Sequence, residues 1–148
     1  MAALTANRNT PQLYDPAPAT RRGKLAAAQV IYAGALVMRN AAGFLVKGAT
    51  ATGLVGAGRA EFYVSNAGGA AGDAELDFAP GVFRFDNSAA ADAITDADIG
   101  AACYAVDDQT VAKTSGTNTR SPAGVVELVD ADGVWVRLDA ALTKAALS

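Results

Sequence analysis

Asp107 and Asp108 stand side by side in IGAACYAVDDQTVAKT, residues 99–114, next to Gln109 and Thr110. Paired carboxylates can perform acid–base chemistry or hold a divalent metal, provided they converge on one point. Adjacent residues of a strand point to opposite faces, which works against convergence. Asp is also a common turn former. The flanking runs ACYAV (102–106) and QTVAK (109–113) fit two strands, so the pair reads as a hairpin turn.

The other reactive residue types are sparse. The chain has no histidine, which removes the commonest general base and metal ligand and excludes Ser-His-Asp and Cys-His pairs within it. Its single cysteine, Cys103, lies in an apolar run and cannot form an intrachain disulfide. Only acids lie near it in sequence, so it reads as a small core residue rather than a reactive thiol. Asp92, Asp96 and Asp98 have the look of a calcium loop, but Gly100 and the absence of a following Glu break the pattern. Gly53, Gly56 and Gly58 belong to neither GxxxxGK[ST] nor GxGxxG, and read as a mobile loop or a tight corner. No catalytic residue, metal or cofactor is implied.

The elements that must position these residues are short strands. The 148 residues suit one domain with a real core and no need of a metal or disulfide staple. Strand material is expected at 29–32, 35–39, 44–47, 59–66, 74–78, 81–86, 102–106, 109–113, 124–129 and 134–138. Turns are expected at NAAG (40–43), Pro80-Gly81 and DADG (130–133), the last a strong hairpin signal. GATATGLVGAG (48–58), NAGGAAGD (66–73) and SGTNTRSPAG (115–124) read as loops. In 59–66, Phe62 and Val64 should face one way and Glu61 and Tyr63 the other. NSAAADAITDADIG (87–100) is the best helical candidate, capped by Ser88 and ended by Gly100. The tail DAALTKAALS reads as a weak helical turn or an extended arm. The whole points to an all-β barrel or sandwich of residues 24–140, with an N-terminal arm (1–23) and a C-terminal tail (141–148).

The arm is marked by Pro11, Pro16 and Pro18 and reads either as a floppy terminus or as a segment that orders on a partner. Residues 1–24 hold Arg8, Arg21, Arg22 and Lys24 against Asp15, a net +3, while the remainder carries −6. The overall −3 argues against general nucleic-acid binding. A basic arm on an acidic body suits docking or self-assembly. RRGKLAAAQVIYAGALVM (21–38) imitates an export signal, but Gln29 and Gly34 interrupt it and its apolar run is short of the ~20 residues of a membrane helix. Buried strands are the simpler reading, with the cytoplasm as the default compartment.

In order and spacing, ADIGAACYAVDDQTVAKT followed by SPAGVVELVDADGVWVRL, residues 97–138, resembles the capsid decoration, or cement, proteins of tailed bacteriophages and prophages. GDAELDFAPGVFRFDNS (72–88) resembles an upstream stretch of the same family. The resemblance implies a compact β-fold on the outer capsid surface of the virion, usually a homotrimer, made in the host cytoplasm and without catalysis. Its partners would be the major capsid protein and further copies of itself, with no nucleic acid or membrane. DDQTV then looks like a family turn.

Charge and apolar spacing, rather than any motif, mark Leu4, Arg8, Leu13, Tyr14, Arg21, Arg22 and Trp135 as residues for a capsid or subunit interface; Trp135 suits core and interface equally. Residues 3–10, or strands of the body, are the stretches free to pair with a neighbour's sheet edge. Two rivals stand beside cementing: a tail-tube or fibre module, and a small trimeric nucleotide hydrolase, whose phosphate-binding stretch and metal-holding Asp have no matching motif here.

Overall fold

The computed structural model describes residues 1–14 and 20–147, with the Tyr14 side chain outside that description. The described chain is mostly β, with thirteen short strands in three sheets. The first sheet runs in the order β1 (Gln12–Tyr14), β9 (Gly81–Phe85), β13 (Gly133–Leu138), β12 (Pro122–Asp130), β10 (Ala102–Ala105), β11 (Val111–Ala112). The second runs β2 (Arg21–Lys24), β8 (Glu75–Ala79), β6 (Val55–Ala60), β4 (Leu36–Arg39), β5 (Leu45–Lys47). A small third sheet pairs β3 (Val30–Ile31) with β7 (Val64–Ser65). The two larger sheets pack face to face and each ends in edge strands, so the architecture is an open sandwich rather than a closed barrel.

Side-chain alternation explains the packing. On β13, Val134, Val136 and Leu138 point into the core between the sheets, where Phe83 and Phe85 of β9 meet Leu36 and Met38 of β4. Each such side chain stabilises by about 1.5–3 kcal/mol on burial. β4 is buried on both faces: Val37 points the other way, into a second core with Leu25, Ile31, Leu45, Leu76 and Phe78. This accounts for the apolar run within 21–38, which folds as β2, β3 and β4. No helix among the described residues is long and apolar enough to cross a membrane.

Several expectations change. The glycine-rich stretch 48–58 is not all loop, because Val55–Gly58 opens β6. A Cβ on Gly56 would lie 1.7 Å from the Ala123 carbonyl oxygen, so this glycine lets the sheets approach and does not loosen the chain. Residues 59–66 are not one strand. β6 ends at Ala60, the chain bends at Glu61–Phe62, and β7 pairs in another sheet, so the alternation expected over 59–66 is broken and Phe62 is 60% exposed. Pro80-Gly81, expected as a turn between two strands, carries the chain from β8 of one sheet to β9 of the other.

The helix expected over 87–100 is replaced by two single 3-10 turns, Ala90–Asp92 and Asp96–Asp98. Asn87 ties both the N–H and the carbonyl of Ile94, which sinks Ile94 into the core and fixes a non-helical path. Ser88 caps nothing; its hydroxyl donates to the Val111 carbonyl. The tail instead forms α1 (Ala140–Ala146). Asp139 accepts from Leu142 N at its start, and the buried Thr143 hydroxyl donates to Asp139 O.

The first 23 residues are not one arm. Arg21–Lys24 is strand β2, paired with β8, and residues 1–14 lie along the chain's own body. Asp15, Pro16 and Pro18 lie outside the described residues.

Candidate functional site

The Asp107–Asp108 pair forms the turn of the β10–β11 hairpin. Val106 N and Asp107 N both donate to Thr110 O, and Asp107 Oδ1 accepts Gln109 N at 2.9 Å. The two carboxylates serve different neighbours. Asp107 closes its own turn. Asp108 is completely buried, and its Oδ1 accepts the backbone N–H of Leu4 at 2.9 Å, across 104 residues of sequence. Its Oδ2 is also buried and has no hydrogen-bond partner among the described residues. Burial pushes the Asp108 carboxyl above the usual carboxylate range, against the Leu4 N–H and the charge of Lys47, while Asp107 adds to the rise.

Around this contact the N-terminal residues are held along their length. Gln109 Nε2 donates to Ala2 O at 2.7 Å. Ala33 N donates to Asn7 Oδ1, and Arg8 N donates to Ala33 O. The Thr10 hydroxyl donates to Gly34 O, and Gln12–Tyr14 pairs with β9. The DDQ turn is thus the far anchor of a strap formed by residues 1–14.

The seven interface candidates divide sharply. Leu4 packs against the chain's second core. Arg8 is largely buried, paired with Asp86 at 3.1 Å, bonded to Thr10 and to Arg84 O, and set over the Phe85 ring. Trp135 is 8% exposed and donates from Nε1 to Asp130 Oδ2. These three make contacts within the chain. Leu13 is exposed, and the Tyr14 side chain lies outside the described residues. Arg21 is exposed, and Arg22 is exposed but pairs with Asp77 and Glu75 of β8. Arg21 and Arg22 are neighbours on edge strand β2, whereas Leu13 belongs to strand β1 of the other sheet.

The acids of 92–98 are also held apart. Asp92 accepts the Thr114 hydroxyl at 2.5 Å and Arg120 Nη1 at 3.3 Å, and its carboxyl is lowered by Thr114 first and Arg120 second. Asp98 accepts Thr95 N and lies 3.7 Å from Lys113 Nζ.

The most exposed aromatic surface among the described residues was not among the candidates. Phe62 and Tyr63 project at the bend between β6 and β7, 60% and 50% exposed, with the Tyr32 ring 5.4 Å from that of Tyr63. Adjacent aromatics cannot both face inward from an extended chain, and that was the available signal. Beside this bend lies an open cavity of about 390 Å³ between the strap and β6, lined by Arg8, Thr10, Arg59 and Glu61 among others. Arg59 and Glu61, two residues apart at the end of β6, pair along its wall at 2.8 Å.

No family model, curated protein or solved structure matches the chain.

Proposed function

We propose that this chain is a structural virion protein: a decoration, or cement, protein that binds the outer surface of a tailed-phage capsid as a homotrimer and strengthens contacts between capsomers. The observation that carries the reading is the stretch 97–138, whose order of motifs resembles that family. Its strands β10, β12 and β13 lie side by side in one sheet, with β11 at the edge. Its acid pair acts as a turn and an anchor. The exposed Phe62–Tyr63 pair also supports a contact role, since aromatics are enriched at protein interfaces relative to the rest of the surface. A trimer engaging three equivalent capsid sites gains avidity even where each contact is weak. Binding only the assembled shell stabilises that shell.

Quantitative mass spectrometry of gradient-purified particles, comparing full virions with tailless heads, tests the reading. A copy number close to that of the major capsid protein, retained on heads, is the expected result. Departure with the tails would instead favour a tail-tube or fibre module. Absence from particles would overturn both, and nucleotide hydrolysis with magnesium would then be assayed. The double substitution Phe62→Ser with Tyr63→Ser should abolish head binding, at a stability cost of about 1 kcal/mol from the lost Tyr63–Tyr32 ring contact.

A further inference from the structure

We propose that residues 2–7 form a proton-dependent strap, closed over Asp108 when that carboxyl is protonated and loosened when it is ionised.

The geometry sets up the coupling. Asp108 lies fully buried, with one oxygen accepting the Leu4 N–H and the other without a partner among the described residues. A buried carboxylate with an orphaned oxygen is costly when charged and tolerable when neutral. Lifting the strap removes Leu4 and admits water to the carboxylate, which then ionises in its ordinary range. Closed and open strap therefore bind the Asp108 proton with different affinity, and each equilibrium must bias the other.

The surroundings leave the sign clear. Residues 2–7 carry no ionisable side chain. Arg8 is turned to Asp86, whose own backbone N–H donates to Gln109 O. β4 contributes Leu36 N to the Asp108 carbonyl and brings no charge there. Lys47 of β5 favours the ionised form and Asp107 opposes it. Burial outweighs the Leu4 hydrogen bond and Lys47, so the closed strap prefers the proton. Acid tightens the strap, and raising the pH through the elevated Asp108 value loosens it. Residues 8–14 stay attached through Arg8–Asp86, Thr10–Gly34 and the β1–β9 pairing.

Nuclear magnetic resonance of the full chain tests this from about pH 3 to about pH 8, following the Asp108 carboxyl carbon and the backbone order parameters of residues 2–7. The expected result is a shared midpoint, with order parameters near 0.85 in acid falling below about 0.6 once Asp108 ionises. Asp108→Asn keeps an acceptor for Leu4 N–H and removes the charge, so its strap should stay ordered throughout. Deleting residues 2–6 leaves β1 in place and should return Asp108 to the ordinary carboxylate range. Order parameters that stay level while Asp108 titrates overturn the proposal. So does an Asp108→Asn chain that loosens as the parent does, or a deletion that leaves the Asp108 midpoint where it was.

Discussion

The Trp135 indole N–H donates to Asp130 Oδ2 at 2.8 Å, across the hairpin that joins β12 to β13. The other oxygen, Oδ1, accepts Asp132 N and Gly133 N in the turn itself. One side chain therefore sets the turn and holds the only tryptophan against the sheet. The three donors, the indole first, hold the Asp130 carboxyl below the usual carboxylate range.

A folded-state carboxyl that is lowered stabilises above its unfolded value, about 3.9, and loses that contribution as pH falls through the lower folded value. Acidification below about pH 4 should therefore loosen the hairpin, read as a change in Trp135 fluorescence. Asp130→Ala should red-shift that emission already at neutral pH and lower the thermal midpoint. Emission unchanged in the variant would show that the contact does not hold the indole.

Gly56→Ala should be among the most damaging small substitutions. Its new Cβ meets backbone first, the Ala123 carbonyl oxygen at 1.7 Å with the Ala123 C and Cα behind it, and backbone cannot turn aside as a side-chain tip could. Overpacking of this kind costs about 3 kcal/mol, or prevents folding. Gly53→Ala is the informative control for the same stretch: nothing lies within 4 Å of its Cβ, and only its φ of +77° opposes the change. Urea denaturation should rank Gly56→Ala well below Gly53→Ala.

Cys103 should be inert in the folded chain. It is wholly buried, and burial pushes its thiol up to about 12, so the reactive thiolate is absent at neutral pH. A thiol reagent such as Ellman's should label it only after denaturation, at the rate of unfolding. Rapid labelling under native conditions would mean that β10 opens locally.

Arg8→Ala should free the middle of the strap. The guanidinium joins Asp86, Thr10 and the Arg84 carbonyl and covers the Phe85 ring. Asp86 is half exposed, so the expected loss is modest, about 1 kcal/mol. Protease cleavage before residue 10 should rise far more than that change in global stability suggests. Arg8→Lys should restore only part of the protection, because an ammonium lacks the planar fork that reaches three acceptors at once.

The hairpins were legible because their instructions are local. DADG, DDQT and NAAG each sit between two short apolar runs, and each closes its turn through an Asp or Asn side chain. The helix expected over 87–100 failed for a reason outside its own residues' propensities: Asn87 and the burial of Ile94 outweigh the preference of alanine for helix. Among the interface candidates, Arg8 and Trp135 have the composition of contact residues and do make contacts, but inside the chain.

The sequence by itself determined the β class, most strand positions and the turns that pair neighbours, since alternation and turn chemistry act over a few residues. Only the tertiary structure decided which sheet each strand joins, that the chain crosses between sheets at Pro80-Gly81, and that Gly56 serves close approach. It also decided that residues 1–14 lie back on the body with Leu4 over Asp108. These choices rest on contacts between residues far apart in the chain. The free energy of such contacts depends on burial and shape complementarity in the finished core, and no short-range pattern encodes it.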